Sequence, residues 1–211
     1  MSGQTFSNAD TGSKSADPYK AKNIDDAPLK EKIEDLVAFV NACKFGMMTT
    51  RVAATGMLVS RCMALAGTEN EGIDLIFSTN TESGKTDDLT SDPNINIAFI
   101  NSSGEWASVS GQAEVIIDRD TVKSYYSRAL KAWLGDLGDG VHDGGPEDPR
   151  IGLIKVNTIT ATYAIVRRSA VSRGVEIAKG AVTGEAASVN KLRELTAEDI
   201  KTWRQSVQLV K

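Results

Sequence analysis

Six short runs with a two-residue apolar period constrain this chain more than any other feature, at 47–51, 57–66, 72–79, 94–102, 106–117 and 151–167. The clearest is 106–117. Ala107, Val109, Gly111, Ala113, Val115 and Ile117 fall on one face, with Trp106, Ser108, Ser110, Gln112 and Glu114 on the other. Such alternation belongs to a strand with one face on a core and the other on solvent. Several links between runs are tight turns, as at Ser103-Gly104-Glu105, whereas a parallel pair needs a crossover of about a dozen residues. Antiparallel strands in this number, with helices at the margins, suit a closed or partly closed barrel that leaves few unpaired edges.

The helices come from the other period. Ile33, Leu36, Val37 and Val40 form one apolar stripe behind a start signal at Asp26-Ala27-Pro28. A shorter helix is expected at 84–91, closed by Asp92-Pro93, and a longer one at 118–134 with Val122, Tyr125, Tyr126, Ala129, Leu130 and Trp133 at helical spacing. The glycine- and acid-rich stretch 135–149 reads as loop, and 171–184 as irregular chain with short strands. Thr196 can cap a terminal helix carrying Ile200, Trp203 and Val207. Residues 1–26 lack apolar periodicity and read as a disordered tail. The expected organisation is therefore a tail at 1–26, a barrel domain at 27–170 and a C-terminal extension with its helix at 171–211.

Composition excludes several classes. A net charge of -4 argues against a general nucleic-acid binder, which needs a basic face. No apolar run reaches the roughly 18 residues that span a bilayer, and no secretory leader is evident, so a cytoplasmic protein without membrane contact is expected. Cys43 and Cys62 are too few for a disulfide framework and read as small buried thiols. The single histidine, His142, lies in the Gly/Asp-rich loop, where neither a histidine metal site nor a hydrolytic triad can be built around it. No metal is expected. Any chemistry must come largely from a cofactor.

One constellation stands out. Thr81-Glu82-Ser83-Gly84-Lys85-Thr86 resembles the end of a phosphate loop, but the first glycine of that pattern is replaced by Thr79. What remains is an ammonium and hydroxyls at a helix start, a setting that suits an anion. Arg61 shares a strand face with Met57, Val59, Met63 and Leu65, so its guanidinium needs a partner. That partner is either a carboxylate from elsewhere in the fold or a phosphate. Arg61, Ser78, Thr79 and Lys85 can together serve one phosphate dianion.

Taken in order, Val59-Ser60-Arg61-Cys62-Met63, Ile76-Phe77-Ser78-Thr79-Asn80, Ser83-Gly84-Lys85 and Asp92-Pro93-Asn94-Ile95-Asn96 resemble the general-stress-protein branch of the pyridoxamine 5'-phosphate oxidase-like family. Ala107 to Val115 and Lys131-Ala132-Trp133 continue the likeness, which covers 28–167, and the tail beyond is similar to fungal blue-light-inducible members. The resemblance implies a mainly β fold, a six-stranded antiparallel split barrel, that binds FMN at the interface of a homodimer. It implies phosphate binding by Arg61, Ser78, Thr79, Ser83 and Lys85, with Trp106 and Ala107 approaching the isoalloxazine. The function expected is that of a flavin-dependent oxidoreductase of unknown substrate. The alternatives are a non-catalytic flavin-binding, storage or light- and redox-responsive protein, or an enzyme using deazaflavin or another flavin-like cofactor. Gly84 stands where the oxidase branch often has Arg, and Ala164 where a Trp commonly follows Tyr163. The substrate-phosphate Arg and His of true pyridoxamine phosphate oxidases have no match, so vitamin B6 oxidation is not expected.

Overall fold

A computed structural model describes residues 17–167 and 170–209. All six expected strands form: β1 Phe45–Arg51, β2 Leu58–Glu69, β3 Asp74–Asn80, β4 Asn94–Ile100, β5 Trp106–Ile116 and β6 Ile151–Val166. A seventh, β7 Asn190–Leu195, was not expected. The sheet order is β3-β2-β1-β4-β5-β6-β7, and β3 also pairs with β6, so six strands close into an antiparallel barrel.

The length of β6 permits both pairings. Its first part, Ile151 to Val156, lies against β3, while Ala161 to Val166 on the same edge lies against β7. Along its other edge β5 runs from Ile116 opposite Leu153 to Trp106 opposite Ala164. The register shifts between Ser110 and Gly111, where a Cβ on residue 111 would sit 2.3 Å from the Asn157 carbonyl oxygen. Only glycine fits that bulge.

Inward positions of these strands make the core, with Met48, Phe77, Ile97, Phe99, Val109, Ile154 and Tyr163 all essentially inaccessible. Helix α2, Leu29–Cys43, closes one end of it with Ile33, Leu36, Phe39 and Val40, as the apolar stripe required. Helix α3, Gly84–Ser91, follows β3, and the terminal helix α7, Ala197–Gln208, buries Ile200. The Thr196 cap is present as a capping box with Asp199.

Several expectations are corrected. The expected tail 1–26 lies outside the described residues as far as residue 16, but Pro18–Asn23 is a short helix, α1, capped by Asp17. Asn23 is buried and its side chain accepts from the Val189 and Asn190 amides, which fixes this segment to β7. The helix expected at 118–134 is two pieces, α4 Arg119–Ser124 and α5 Ala129–Leu134. Ser124 bonds the Thr121 carbonyl and Ser127 accepts from the Ala129 amide, local bonds that compete with the helical ladder. Both pieces cover the outer face of β3 and β6 through a second cluster around Ile76, Val122, Ile151 and Leu153. The stretch expected to be irregular at 171–184 is the helix α6, Ala170–Thr183. Cys43 is only half-buried and Cys62 is exposed, so neither is the buried thiol expected. Trp133 is 85% exposed and packs in neither core cluster.

β7 escaped detection because Arg193 breaks its alternation. That side chain is 1% exposed, and it donates to Asp25 at 2.7 Å, Asp35 at 2.6 Å and Glu31 at 2.5 Å. The bond to Arg193 holds the Glu31 carboxyl below its usual range. The extension beyond residue 170 thus joins the sheet through β7 and the main core through Leu195 and Ile200.

Candidate functional site

The strand face expected to carry Arg61 passes from core to opening. Met63 is buried and Leu65 packs on the core, whereas Met57 and Val59 are exposed. Arg61 sits between them, paired in register with Met48 of β1, with its side chain about one third exposed. Its Nη1 donates to Thr50 Oγ1 at 2.8 Å and its Nη2 to Asp88 Oδ2 at 3.3 Å. Of the two partners expected for Arg61, a carboxylate is therefore present. A guanidinium has five N–H donors, so these two bonds leave capacity for a phosphate.

Lys85 comes from the first turn of α3. Its ammonium donates to Thr79 Oγ1 and Ser83 Oγ, both at 2.7 Å. The turn that delivers it is fixed locally: Ser83 Oγ donates to the Asn80 carbonyl at 2.8 Å, and Thr86 Oγ1 to the carbonyls of Thr81 and Ser83. Burial pushes the Lys85 pKa down, and the nearby positive charge of Arg61 pushes it further the same way. Of the two cations, Arg61 is paired with a carboxylate, Asp88, and Lys85 is bonded to hydroxyls. Asp88 is already engaged by the Ala53 amide at 3.0 Å and by Thr50 at 3.5 Å. A partly exposed pair of cations with a single carboxylate and converging hydroxyls is suited to an oxyanion.

The structure brings Arg61, Thr79, Ser83 and Lys85 together. Ser78 is separated from them. Strand alternation puts it on the face of Ile76, which packs in the outer cluster, while Thr79 shares the inner face with Phe77. Ala107 is buried in the core between Phe99 and Tyr163 in register. Trp106 lies at the end of β5, opposite Ile100 and Ala164, and is half-buried. The row of Arg61 runs instead through Met48 and Ile97 to Val109, so Trp106 is displaced along β5 and across three strand boundaries. Within one chain Trp106 does not join the cluster.

Two members were missed in the sequence. Thr50 is a polar residue on the inward face of β1, following Gly46 and Met48 in alternation. Asp88 lies one helical turn after Lys85 and is buried beside Leu89. Gly84, where the oxidase branch often carries Arg, has nothing within 4 Å of a built Cβ, so sterics do not explain the glycine. His142 Nδ1 is 2.5 Å from Asp139 in the loop, and that carboxylate raises its pKa. Among the described residues no group of acids, cysteines and histidine is arranged to hold a metal.

The fold and sequence together define the class. The chain belongs to the pyridoxamine 5'-phosphate oxidase-like family, whose profile matches residues 31–188. It is 60% identical over 208 residues to Protein bli-3 of Neurospora crassa, an alignment spanning 98% of this chain and all of that protein. General Stress Protein 26 from Bacillus anthracis has the same barrel at 26% identity, with a TM-score of 0.52 over 64% of this chain and 92% of its own. A pyridoxamine 5'-phosphate oxidase-related, FMN-binding protein from Nostoc punctiforme shares the fold at 15% identity, with a TM-score of 0.52 over 68% and 86% of the two chains.

Proposed function

We propose that this chain is a cytoplasmic, homodimeric FMN-binding protein of the general-stress branch, with the flavin phosphate held by Arg61, Lys85, Thr79 and Ser83. The observation that carries this reading is Lys85. A half-buried ammonium beside a second cation, bonded to two hydroxyls, is the arrangement a phosphate dianion completes. FMN, once bound, supplies the electron-transfer chemistry of its isoalloxazine. The residues of the chain bind and orient. Thr50 and Asp88 hold the Arg61 fork at a fixed angle, and the Asn80–Ser83 turn holds Lys85. Ser78, on the other strand face, is left out of the cradle. Trp106 reaches the ring of a flavin held by a second copy, because the register keeps it away from the cradle of its own chain, whereas the Ala107 side chain is buried in its own core and takes no part.

Oxidoreductase activity on an unidentified substrate is the first reading of what the flavin does. The lone His142, tied to Asp139 in the acidic loop, favours a second, in which flavin is bound without turnover. Titration with FMN and riboflavin tests the site. FMN is expected to bind more tightly, and a protein that copurifies without flavin and binds neither would defeat the proposal. Anaerobic reduction by NADH or NADPH followed by a screen of quinone acceptors separates the two readings. No substantial pyridoxamine phosphate oxidation is expected of the FMN-loaded protein, and efficient turnover would show that a substrate site had been misjudged.

A further inference from the structure

The phosphate cradle is tied to the Gly- and acid-rich loop at 135–149. Thr81, between β3 and α3, donates its amide to the Arg150 carbonyl at 2.8 Å and its hydroxyl to the same oxygen at 3.1 Å. The Thr81 carbonyl in turn accepts from Thr86 Oγ1 at 2.8 Å, on the first turn of α3 next to Lys85. The β6 backbone lies close against this turn, since a Cβ on residue 152 would sit 2.5 Å from Thr81 Cγ2. The Arg150 side chain runs the other way, into the loop. It is 5% exposed, binds the fully buried Asp148 through Nε and Nη2, and donates to the carbonyls of Leu134 at 3.3 Å, Gly135 at 2.8 Å and His142 at 3.1 Å. A shifted loop would leave buried N–H donors unpaired, so the loop and the turn are held to one arrangement.

His142 closes that loop. Asp139 accepts the amides of Val141 and His142 on Oδ1, and its Oδ2 lies 2.5 Å from His142 Nδ1. The His142 carbonyl takes the Leu137 amide at 2.9 Å beside its bond from Arg150. The charged groups facing the imidazole are Asp139, Asp148 and Arg150, while Glu82 of the β3–α3 turn faces Arg150 and Lys131 of α5 packs on Gly144. The bond to Asp139 dominates and holds the His142 pKa above 6.5. The protonated pair makes a charge-assisted bond, about twice as strong as the neutral one. That contribution to the loop is present at low pH and lost as pH rises through the His142 pKa. No second histidine exists in the chain to blur it.

We infer that the His142–Asp139 pair is a pH-sensitive latch on the flavin phosphate site. Arg150 and Thr81 carry its state to the turn that presents Ser83 and Lys85. Both are positioning residues, because they act through Ser83 and Lys85. This rests on the flavin site of the proposed function and adds its regulation. FMN binds more tightly below the His142 transition than above it.

Histidine carbon-13 NMR on the full-length protein tests the latch, because one histidine gives one titration curve. FMN binding and imidazole protonation are coupled reciprocally, so FMN should raise the His142 pKa and deprotonation should weaken FMN binding about threefold. In His142→Phe that step should vanish. The second ionisation of the FMN phosphate, at about pH 6, acts on both proteins and cancels in the ratio of their affinities. Asp139→Asn, which keeps an acceptor for the two amides, should lose the step as well and serves if His142→Phe does not fold. FMN binding to wild type with an unmoved His142 pKa would overturn the latch and leave the flavin site standing. A step that persists in both variants would also overturn it. A protein that binds no FMN would defeat the site and the latch together.

Discussion

Arg193 of β7 and Arg61 of β2 are both held by carboxylates, yet the fold treats them differently. Arg193 is 1% exposed and saturated by Asp25, Glu31 and Asp35, which come from the segment after α1 and from α2. Arg61 is one third exposed, has Asp88 as its carboxylate, and stands near Lys85, whose own bonds run to hydroxyls. With Lys191 beside Glu31 and Asp35 and Arg167 beside Asp25, the first cluster balances its charge and ties secondary structure together. The second has an excess of positive charge at an opening. That imbalance, rather than the presence of charge, is what makes the second cluster the candidate site.

Removing Arg193 should have the largest effect. Arg193→Ala removes the central cation from three partly exposed carboxylates that keep only Lys191 and Arg167 at longer range, and losing hydrogen bonds to charged groups from a buried position costs about 3 kcal/mol. Urea unfolding should show most of that loss, while the FMN affinity of the still-folded fraction stays within about threefold. A loss below about 1 kcal/mol would mean the cluster is not the clasp its geometry indicates.

Lys85→Ala should behave in the opposite sense. Loss of a charged hydrogen-bond donor to the phosphate weakens FMN binding by about 1.5–3 kcal/mol, or roughly 10- to 150-fold. Riboflavin, without the phosphate, should be much less sensitive. The unfolding midpoint without flavin should move little, because the ammonium is desolvated and faces Arg61. Equal FMN affinity in wild type and variant would move the phosphate elsewhere.

Asp88→Asn sharpens the comparison further. It removes the carboxylate that competes with phosphate for Arg61 while keeping an acceptor for the Ala53 amide. FMN should bind severalfold tighter and the flavin-free protein should lose about 1 kcal/mol. Weaker FMN binding would instead assign Asp88 a positioning role that outweighs its charge.

The smallest effect is on pH dependence. The folded pKa of Lys85 lies below its ordinary value of 10.5, so the unfolded chain holds this proton to higher pH than the folded one. Stability of the flavin-free protein therefore gains a contribution as pH rises from the depressed value toward 10.5. A bound phosphate reverses the preference, so FMN affinity should fall over the same alkaline window. The Lys85→Met protein should lose both slopes, and retention of either would point to another titrating group.

Much of this molecule is legible in its sequence. The period-two runs located six strands, the Ile33–Leu36–Val40 stripe located α2, and Thr196 announced α7, because backbone periodicity and capping are local properties. The order of short motifs singled out Arg61, Thr79 and Lys85, which the fold brings together. Strand alternation, also local, separates Ser78 from Thr79 and was available in the sequence, although the two hydroxyls were first grouped together. The tertiary structure alone decided the rest. Asp88 became the carboxylate of Arg61 by α3 packing against β1 and β2, a contact with no sequence periodicity to announce it. Arg193 is polar by residue type and core by position, so β7 emerged only when Asp25, Glu31 and Asp35 were seen to neutralise it. The seating of α6 was likewise hidden. Amphipathicity tells that a helix has an apolar face, but which face meets the body depends on what the body offers, here the Ser103 carbonyl for Arg173.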